Sequence, residues 1–269
     1  MERQNIFRNY VKRRDIIKTV QNILKYLIIL LIVMTAVGLV IMTNAELREK
    51  YIWTTTVFLS IQFAALVLFM ILNYELKGLG IIIPLMLISG YLIEYAGVKT
   101  GYPFGEYLYT DKLQPQLFNV PVAISLSWVI VVVSSFQIVF SENGKNLFTK
   151  VVYSSLIVLG LDLTLEPFAA FINQFWVWRA GFVPIQNYVS WFVVAIIFIT
   201  LIYGLIRKKS IRDDKNSPLI KYAPYIILSI NVVQFSIINL MNTHYLSTLS
   251  GLLLITLIII IKKRGILEV

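Results

Sequence analysis

The chain has no cysteine and one histidine, His244, among its 269 residues, and only 14% of those residues are charged against 58% hydrophobic. The missing cysteine removes disulfide frameworks, thiolate nucleophiles, iron–sulfur clusters and thiolate-ligated haem together. A lone histidine excludes the multi-histidine clusters by which a membrane non-haem iron oxygenase or desaturase holds its metal. A mean hydropathy of +0.78 with so few charges is the composition of a chain that lives in a bilayer. The net charge of +10 does not point to nucleic acid. The basic residues stand in short clusters beside long apolar runs, where they meet anionic lipid headgroups.

A bilayer core takes about 20 apolar residues per helix, and eight runs approach that length: Ile23–Met42, Ile52–Leu72, Leu79–Ile93, Val120–Phe140, Val151–Glu166, Tyr188–Ile206, Tyr222–Leu240 and Leu246–Ile261. The expected fold is an all-α, polytopic membrane bundle. It has a basic segment at 1–22, one transmembrane domain over 23–261 and a short basic tail at 262–269, with the last two runs short enough to form a re-entrant hairpin instead. With eight spans both termini share one side, and all but Arg48, Lys50, Lys99, Lys112 and Arg179 of the 24 basic residues fall on it. The positive-inside rule then makes both termini cytoplasmic and turns the loops after spans three and five outward. Residues 207–221 form the one soluble linker of any length.

Those two outward loops are unlike ordinary connectors. Residues 95–119 carry Gly97, Gly101, Gly105, Pro103, Pro115 and four tyrosines, and residues 168–187 carry Trp176 and Trp178 beside Arg179, Gly181 and Pro184. Such composition predicts structured loops, although an interfacial aromatic belt explains either tryptophan equally well.

Ionisable residues inside spans are expensive and mark function by default. Three qualify: Glu94, Asp162 and Glu166. Asp162 and Glu166 are four residues apart, so they share a helix face, with Pro167 ending or bending the helix just beyond. At about 1.5 Å per residue, Asp162 lies roughly 18 Å and Glu166 roughly 24 Å above Lys150, and Glu94 roughly 22 Å above Leu79. All three converge on the outer half of the membrane. Two such carboxyls repel, so one is expected to keep its proton and act as a buried Brønsted acid; the alternative is a pair that holds neighbouring helices together. A single DxxxE is too little for magnesium-dependent prenyl transfer, which needs repeated aspartate-rich motifs. His244, in an outward MNTHY turn, fits an interfacial hydrogen-bonding role better than that of a base.

Glu94–Gly97, then TGYPFGEYLYTDKLQPQLFNVPV over Thr100–Val122, then Ser127 and Trp128, resemble one signature of the carotenoid-biosynthesis membrane proteins of bacteria and archaea. LDLTLEP over Leu161–Pro167, with WVWRAGFVPIQNYVSWF over Trp176–Phe192, is similar to the family's other signature. Order and spacing agree across a little over one third of the chain. Two positions depart from the pattern: Glu166 stands where aspartate is usual, and Ser190 where glycine is more typical. The family includes carotenoid 1,2-hydratases such as the gamma-carotene 1'-hydratase and the bisanhydrobacterioruberin hydratase.

The resemblance implies hydration of the acyclic end group of a carotenoid (a C40 or C50 polyene), with no cofactor and no metal, in the cell membrane; the depth of the three carboxyls places the expected active site in its outer half. Adding water to a trisubstituted alkene begins with protonation and passes through a tertiary cation, so the oxygen comes from water. Asp162 and Glu166 are the expected proton donor and its partner. Glu94, Asp111 and Glu106 are candidates to orient water and accept its proton. Tyr107, Tyr109, Trp176 and Trp178 offer aromatic faces to the cation, with Phe104, Trp128 and Asn187 completing the substrate contacts. Arg179 is expected to hold a carboxylate or a headgroup. Two other functions fit buried carboxylates at one depth: a proton-coupled membrane carrier, and a non-catalytic scaffold for other carotenoid-biosynthesis enzymes.

Overall fold

The computed structural model describes residues 2–141, 146–208 and 218–267, with side chains described between residues 14 and 262 of these. Among the described residues ten α-helices run in the order α1 (Glu2–Met42), α2 (Ala45–Tyr51), α3 (Thr54–Asn73), α4 (Leu76–Thr100), α5 (Val122–Phe140), α6 (Leu147–Glu166), α7 (Ile185–Leu205), α8 (Pro218–Lys221), α9 (Ala223–Met241) and α10 (Tyr245–Leu267). Among the described residues eight helical stretches, one in each helix but α2 and α8, are long and apolar enough to cross a membrane, and that of α6 runs on to Ile172. The last pair, Ala223–Met241 and Tyr245–Lys262, are each of spanning length. α1 is unbroken from the basic segment into its apolar run. Most of the 207–221 linker lies outside the described residues.

α5 is buried on nearly every face and forms the axis of the bundle. α3, α4, α6, α7 and α9 pack around it, while α1 lies against α3 and α9, and α10 against α6 and α9. Helix ends follow local chemistry. Asn44 and Asn146 cap α2 and α6 by accepting from the Leu47 and Thr149 amides at 3.0 and 2.8 Å. Gly101 ends α4 in the left-handed region at φ 72°, its amide donating to the Gly97 carbonyl at 2.8 Å.

Pro167 ends the α-helical stretch of α6, as expected, but not the helical path. The chain passes through it into a π-helical segment, Pro167–Ile172. Proline lacks the N–H of an α-helical bond and its ring crowds the carbonyl four residues back; the wider turn accommodates both.

The loops after α4 and α6 add two small antiparallel ribbons to the helices. β1 (Tyr107–Tyr109) pairs with β4 (Trp176–Trp178), and β2 (Gln116–Leu117) with β3 (Val120–Pro121). The second is closed by Phe118 and Asn119, both at positive φ (48° and 66°), the geometry a two-residue hairpin turn requires. The first joins the loop after α4 to the loop after α6 and so covers one end of the bundle.

Candidate active site

The β1–β4 ribbon follows from alternation. In YLY facing WVW, every second side chain points to the same side. The register sets Tyr107 opposite Trp178 and Tyr109 opposite Trp176, and all four turn inward, while Leu108 and Val177 face out at 65% and 52% exposure. The ring centroids of Tyr107 and Trp178 are 5.1 Å apart and those of Tyr109 and Trp176 are 6.0 Å apart. The ribbon is thus an aromatic ceiling, and the polar atoms of its rings reach down to the helices.

Each side of that ceiling holds one glutamate. Tyr107 and Tyr109 donate their hydroxyls to Glu94 Oε2 at 2.6 and 2.7 Å, and Trp128 Nε1 donates to Glu94 Oε1 at 2.9 Å. Trp176 Nε1 and Trp178 Nε1 donate to Glu166 Oε2 at 3.2 and 3.0 Å, and Asn187 Nδ2 to Glu166 Oε1 at 3.0 Å. The two tyrosines of one strand therefore serve α4, and the two tryptophans of its partner serve α6. Gly97, one turn after Glu94, makes the approach possible: a Cβ there would lie 2.7 Å from the Tyr107 hydroxyl.

Asp162 stands behind this arrangement. Asn187 Nδ2 donates to Asp162 Oδ2 at 3.0 Å as well as to Glu166, so one amide bridges both carboxyls of α6. Asp162 Oδ1 is buried and has no hydrogen-bond partner. The described residues form two ion pairs, Lys112–Glu49 and Arg179–Glu106, and neither involves Glu94, Asp162 or Glu166. The three buried carboxyls are surrounded by neutral donors. Burial, and then the neighbouring Glu94, push the Tyr107 and Tyr109 phenols above their ordinary range, so both remain protonated donors.

A cavity of about 150 Å³ lies under the ceiling. Of the expected site residues, Glu94, Glu166, Phe104, Tyr107, Tyr109, Trp128, Trp176, Trp178 and Asn187 line it. Asp162 does not. Asp111 is exposed in the loop, and Glu106 is exposed and held by Arg179 at 2.7 Å on the outside of the ribbon; neither carboxylate reaches the cavity wall. Arg179 holds a carboxylate, but that of Glu106. His244 lies beside Phe171, ring centroids 6.1 Å apart, at the turn between α9 and α10. Ser190 Oγ donates to the Pro103 carbonyl at 2.7 Å and ties α7 to the loop.

Several lining residues escaped the sequence reading. Trp191 stacks on Trp128 with centroids 4.1 Å apart; it lies one turn beyond Asn187 on α7, a spacing that would have revealed it. Phe168 and Phe175 form the wall toward α9, and Met34, Gly38, Ile41, Phe58, Leu59 and Gln234 extend the cavity toward α1, α3 and α9.

A family model described as carotenoid biosynthesis protein matches residues 52–258, which include every residue of the ceiling and all three carboxyls. A bisanhydrobacterioruberin hydratase of Haloarcula japonica is 29% identical over 119 residues, covering 42% of this chain and 40% of that relative, so the likeness spans less than half of either protein. No solved structure matches the chain.

Proposed function

The chain belongs to the carotenoid biosynthesis protein family, and from that membership we propose that it is a hydratase of acyclic carotenoid end groups. The observation that carries the reading is Glu94 and Glu166 on one apolar, aromatic-walled cavity, each held by three neutral donors with no basic partner. A scaffold gains nothing from two such groups. The Haloarcula japonica relative is a hydratase by name, and addition of water suits these residues.

In this reading Glu166, the cavity-lining member of the Asp162–Glu166 pair, delivers a proton to the less substituted carbon of the terminal alkene. The π electrons form the new C–H bond, Glu166 becomes a carboxylate, and a tertiary cation is left on the neighbouring carbon. The faces of Trp176, Trp178 and Trp128 stabilise that cation by their quadrupoles. Water attacks it to form the C–O bond, and Glu94, across the cavity, takes the proton that the oxonium loses. Return of that proton from Glu94 to Glu166 through water in the cavity restores both groups, and the sum is addition of one water. Asp162 acts on Glu166 through Asn187.

The site lies at the outer face of the membrane if the basic residues orient the chain. Reporter fusions within residues 106–116 should then behave as exported, and fusions after Lys215 as cytoplasmic. The decisive experiment is expression in cells that accumulate lycopene or gamma-carotene, with mass analysis of the extracted pigment. A gain of one water that Glu166→Gln abolishes supports the hydratase; an unchanged pigment from well-expressed protein rejects it. Label supplied as heavy-oxygen water should enter the product without air, whereas label entering from molecular oxygen would contradict the mechanism.

A further inference from the structure

The cage accounts for Glu94, Glu166 and Asn187, but not for the polar side chains on the rest of the cavity wall. Asn231 is closed in its exchange with Gln62, the Thr54 hydroxyl donates to the Tyr51 carbonyl at 2.7 Å, and the Ser127 hydroxyl to the Ala123 carbonyl at 3.0 Å. Gln234 of α9 differs from all of these. It is 8% exposed, lines the cavity, and makes no hydrogen bond among the described residues. Its amide is not walled in by protein, as the partnerless Oδ1 of Asp162 is, and so borders the cavity. The amide nitrogen lies over Gly38 of α1, where a Cβ would stand 3.3 Å from it. α9 packs against α1, α3, α5, α6 and α10, whereas Glu94 stands on α4 and Asn187 on α7. Gln234 therefore enters the cavity from another side than those two.

A buried amide that meets only hydrocarbon has given up water and gained nothing in exchange, which is unfavourable. A pure hydrocarbon end group would leave Gln234 in that state. A trapped water repairs it poorly, because such a water needs about two to four polar partners. With Asn231, Thr54 and Ser127 engaged, the wall outside the cage offers one further group without a hydrogen bond among the described residues, the hydroxyl of half-buried Thr55 on α3. An amide both donates and accepts, and so does an alcohol. We infer that Gln234 recognises a hydroxyl carried by the ligand close to its terminal alkene, so that this chain favours an oxygenated acyclic end group over its hydrocarbon counterpart. The inference rests on the hydratase reading for the reacting alkene and narrows that reading to a substrate class. Gly38 has the complementary role, since the absence of a side chain leaves the amide room to lie where it does.

The test uses the full chain in lipid vesicles with linalool and dihydromyrcene, two short terpenes that share a carbon skeleton and a terminal trisubstituted alkene and differ by one tertiary hydroxyl. Gln234→Met keeps the length and volume of the side chain and removes the amide. It should lower kcat/KM for linalool by about tenfold or more, through KM, because a site built to bond a hydroxyl discriminates by that bond. Dihydromyrcene should stay within about twofold. Comparing each terpene with itself across the two proteins cancels its partition into lipid. Folding should persist, since no protein group loses a partner. Gly38→Ala, which crowds the amide without removing it, should weaken linalool in the same direction by a smaller factor. Equal losses on both terpenes, which would put the reaction's water at the amide instead, overturn the inference, and so does no loss on either. Binding read as a rise in unfolding temperature separates the inference from the reaction. A rise with linalool that Gln234→Met removes, with neither terpene hydrated, leaves the hydroxyl site standing and rejects the hydratase. Hydration of both terpenes that Gln234→Met leaves unchanged keeps the hydratase and rejects the site. Wild type that neither hydrates nor is stabilised by either terpene rejects both.

Discussion

Two of the buried polar regions in this bundle are satisfied in opposite ways. Midway along α3 and α9, Gln62 and Asn231 exchange amides, Gln62 Nε2 donating to Asn231 Oδ1 at 3.2 Å and Asn231 Nδ2 to Gln62 Oε1 at 2.7 Å. Each group there is both donor and acceptor, and the pair is complete in itself. In the cage the carboxyls only accept, from two tyrosines, three tryptophans and an asparagine. A reciprocal amide pair holds helices together and has no proton to exchange. A carboxyl among fixed donors can lose or gain a proton without reorganising its surroundings, which is what acid catalysis in a dry cavity requires.

The largest test of that contrast is to give the cage amide chemistry. Glu166→Gln and Glu94→Gln keep shape and most hydrogen bonds but remove the transferable proton and its acceptor. General-acid catalysis is worth roughly 10²–10⁴-fold, and both variants should lose at least that much turnover while polyene binding and folding persist. Asp162→Asn should fall between wild type and Glu166→Gln, because Asp162 is off the cavity wall and acts through Asn187. If Asp162→Asn is the most damaged of the three, the direct donor is Asp162 and the assignment to Glu166 is wrong. Glu166→Asp should retain part of the activity, since the carboxyl survives one methylene short of its two tryptophan donors.

Much of this contrast was legible in the sequence, though unevenly. The spans, and the convergence of Glu94, Asp162 and Glu166 toward one end of the bundle, follow from helical rise and apolar run length alone. Asp111 and Glu106 entered the candidate set because they share a loop with Tyr107 and Tyr109. Loop membership does not determine which way a side chain points. That is decided by the β1–β4 register, a pairing between segments about 70 residues apart that no local pattern announces. Read as strands, YLY and WVW would have given the inward set at once; read as an aromatic belt, they hide it. The amide seam was missed for a different reason. Gln62 and Asn231 carry no charge, so they do not stand out in apolar runs until their partners are known.

The converse experiment alters the seam. Gln62→Leu or Asn231→Leu alone strands a buried amide and should cost about 1–3 kcal/mol of stability in thermal unfolding. The double replacement removes both polar partners and should recover most of that loss. Activity per folded molecule should stay near wild type in Gln62→Leu, whose side chain does not line the cavity, whereas Asn231 is part of the cavity wall. A Gln62→Leu variant that folds normally yet loses turnover as Glu166→Gln does would break the distinction between the two regions and bring the α3–α9 contact into the reaction.

The smallest effect tests whether the cage is sealed. Tyr107 and Tyr109 are raised above the ordinary tyrosine pKa by burial and by Glu94, and Tyr74, buried against Gln137, is raised by burial. The folded chain therefore holds these phenolic protons more tightly than the unfolded chain, whose tyrosines ionise near pH 10. Their contribution to stability is fully present below about pH 10 and is lost as the pH rises beyond it, because only the unfolded state gains from releasing the protons. In an alkaline titration followed by phenolate absorbance, Tyr107→Phe and Tyr109→Phe should leave the signal before unfolding unchanged and reduce only the signal released on unfolding. A loss of one phenolate from the early phase would mean that the phenol ionises in the folded state. The aromatic ceiling would then admit water freely, and a cation formed beneath it would have no dry, preorganised site in which to wait for the single water that the proposed reaction adds.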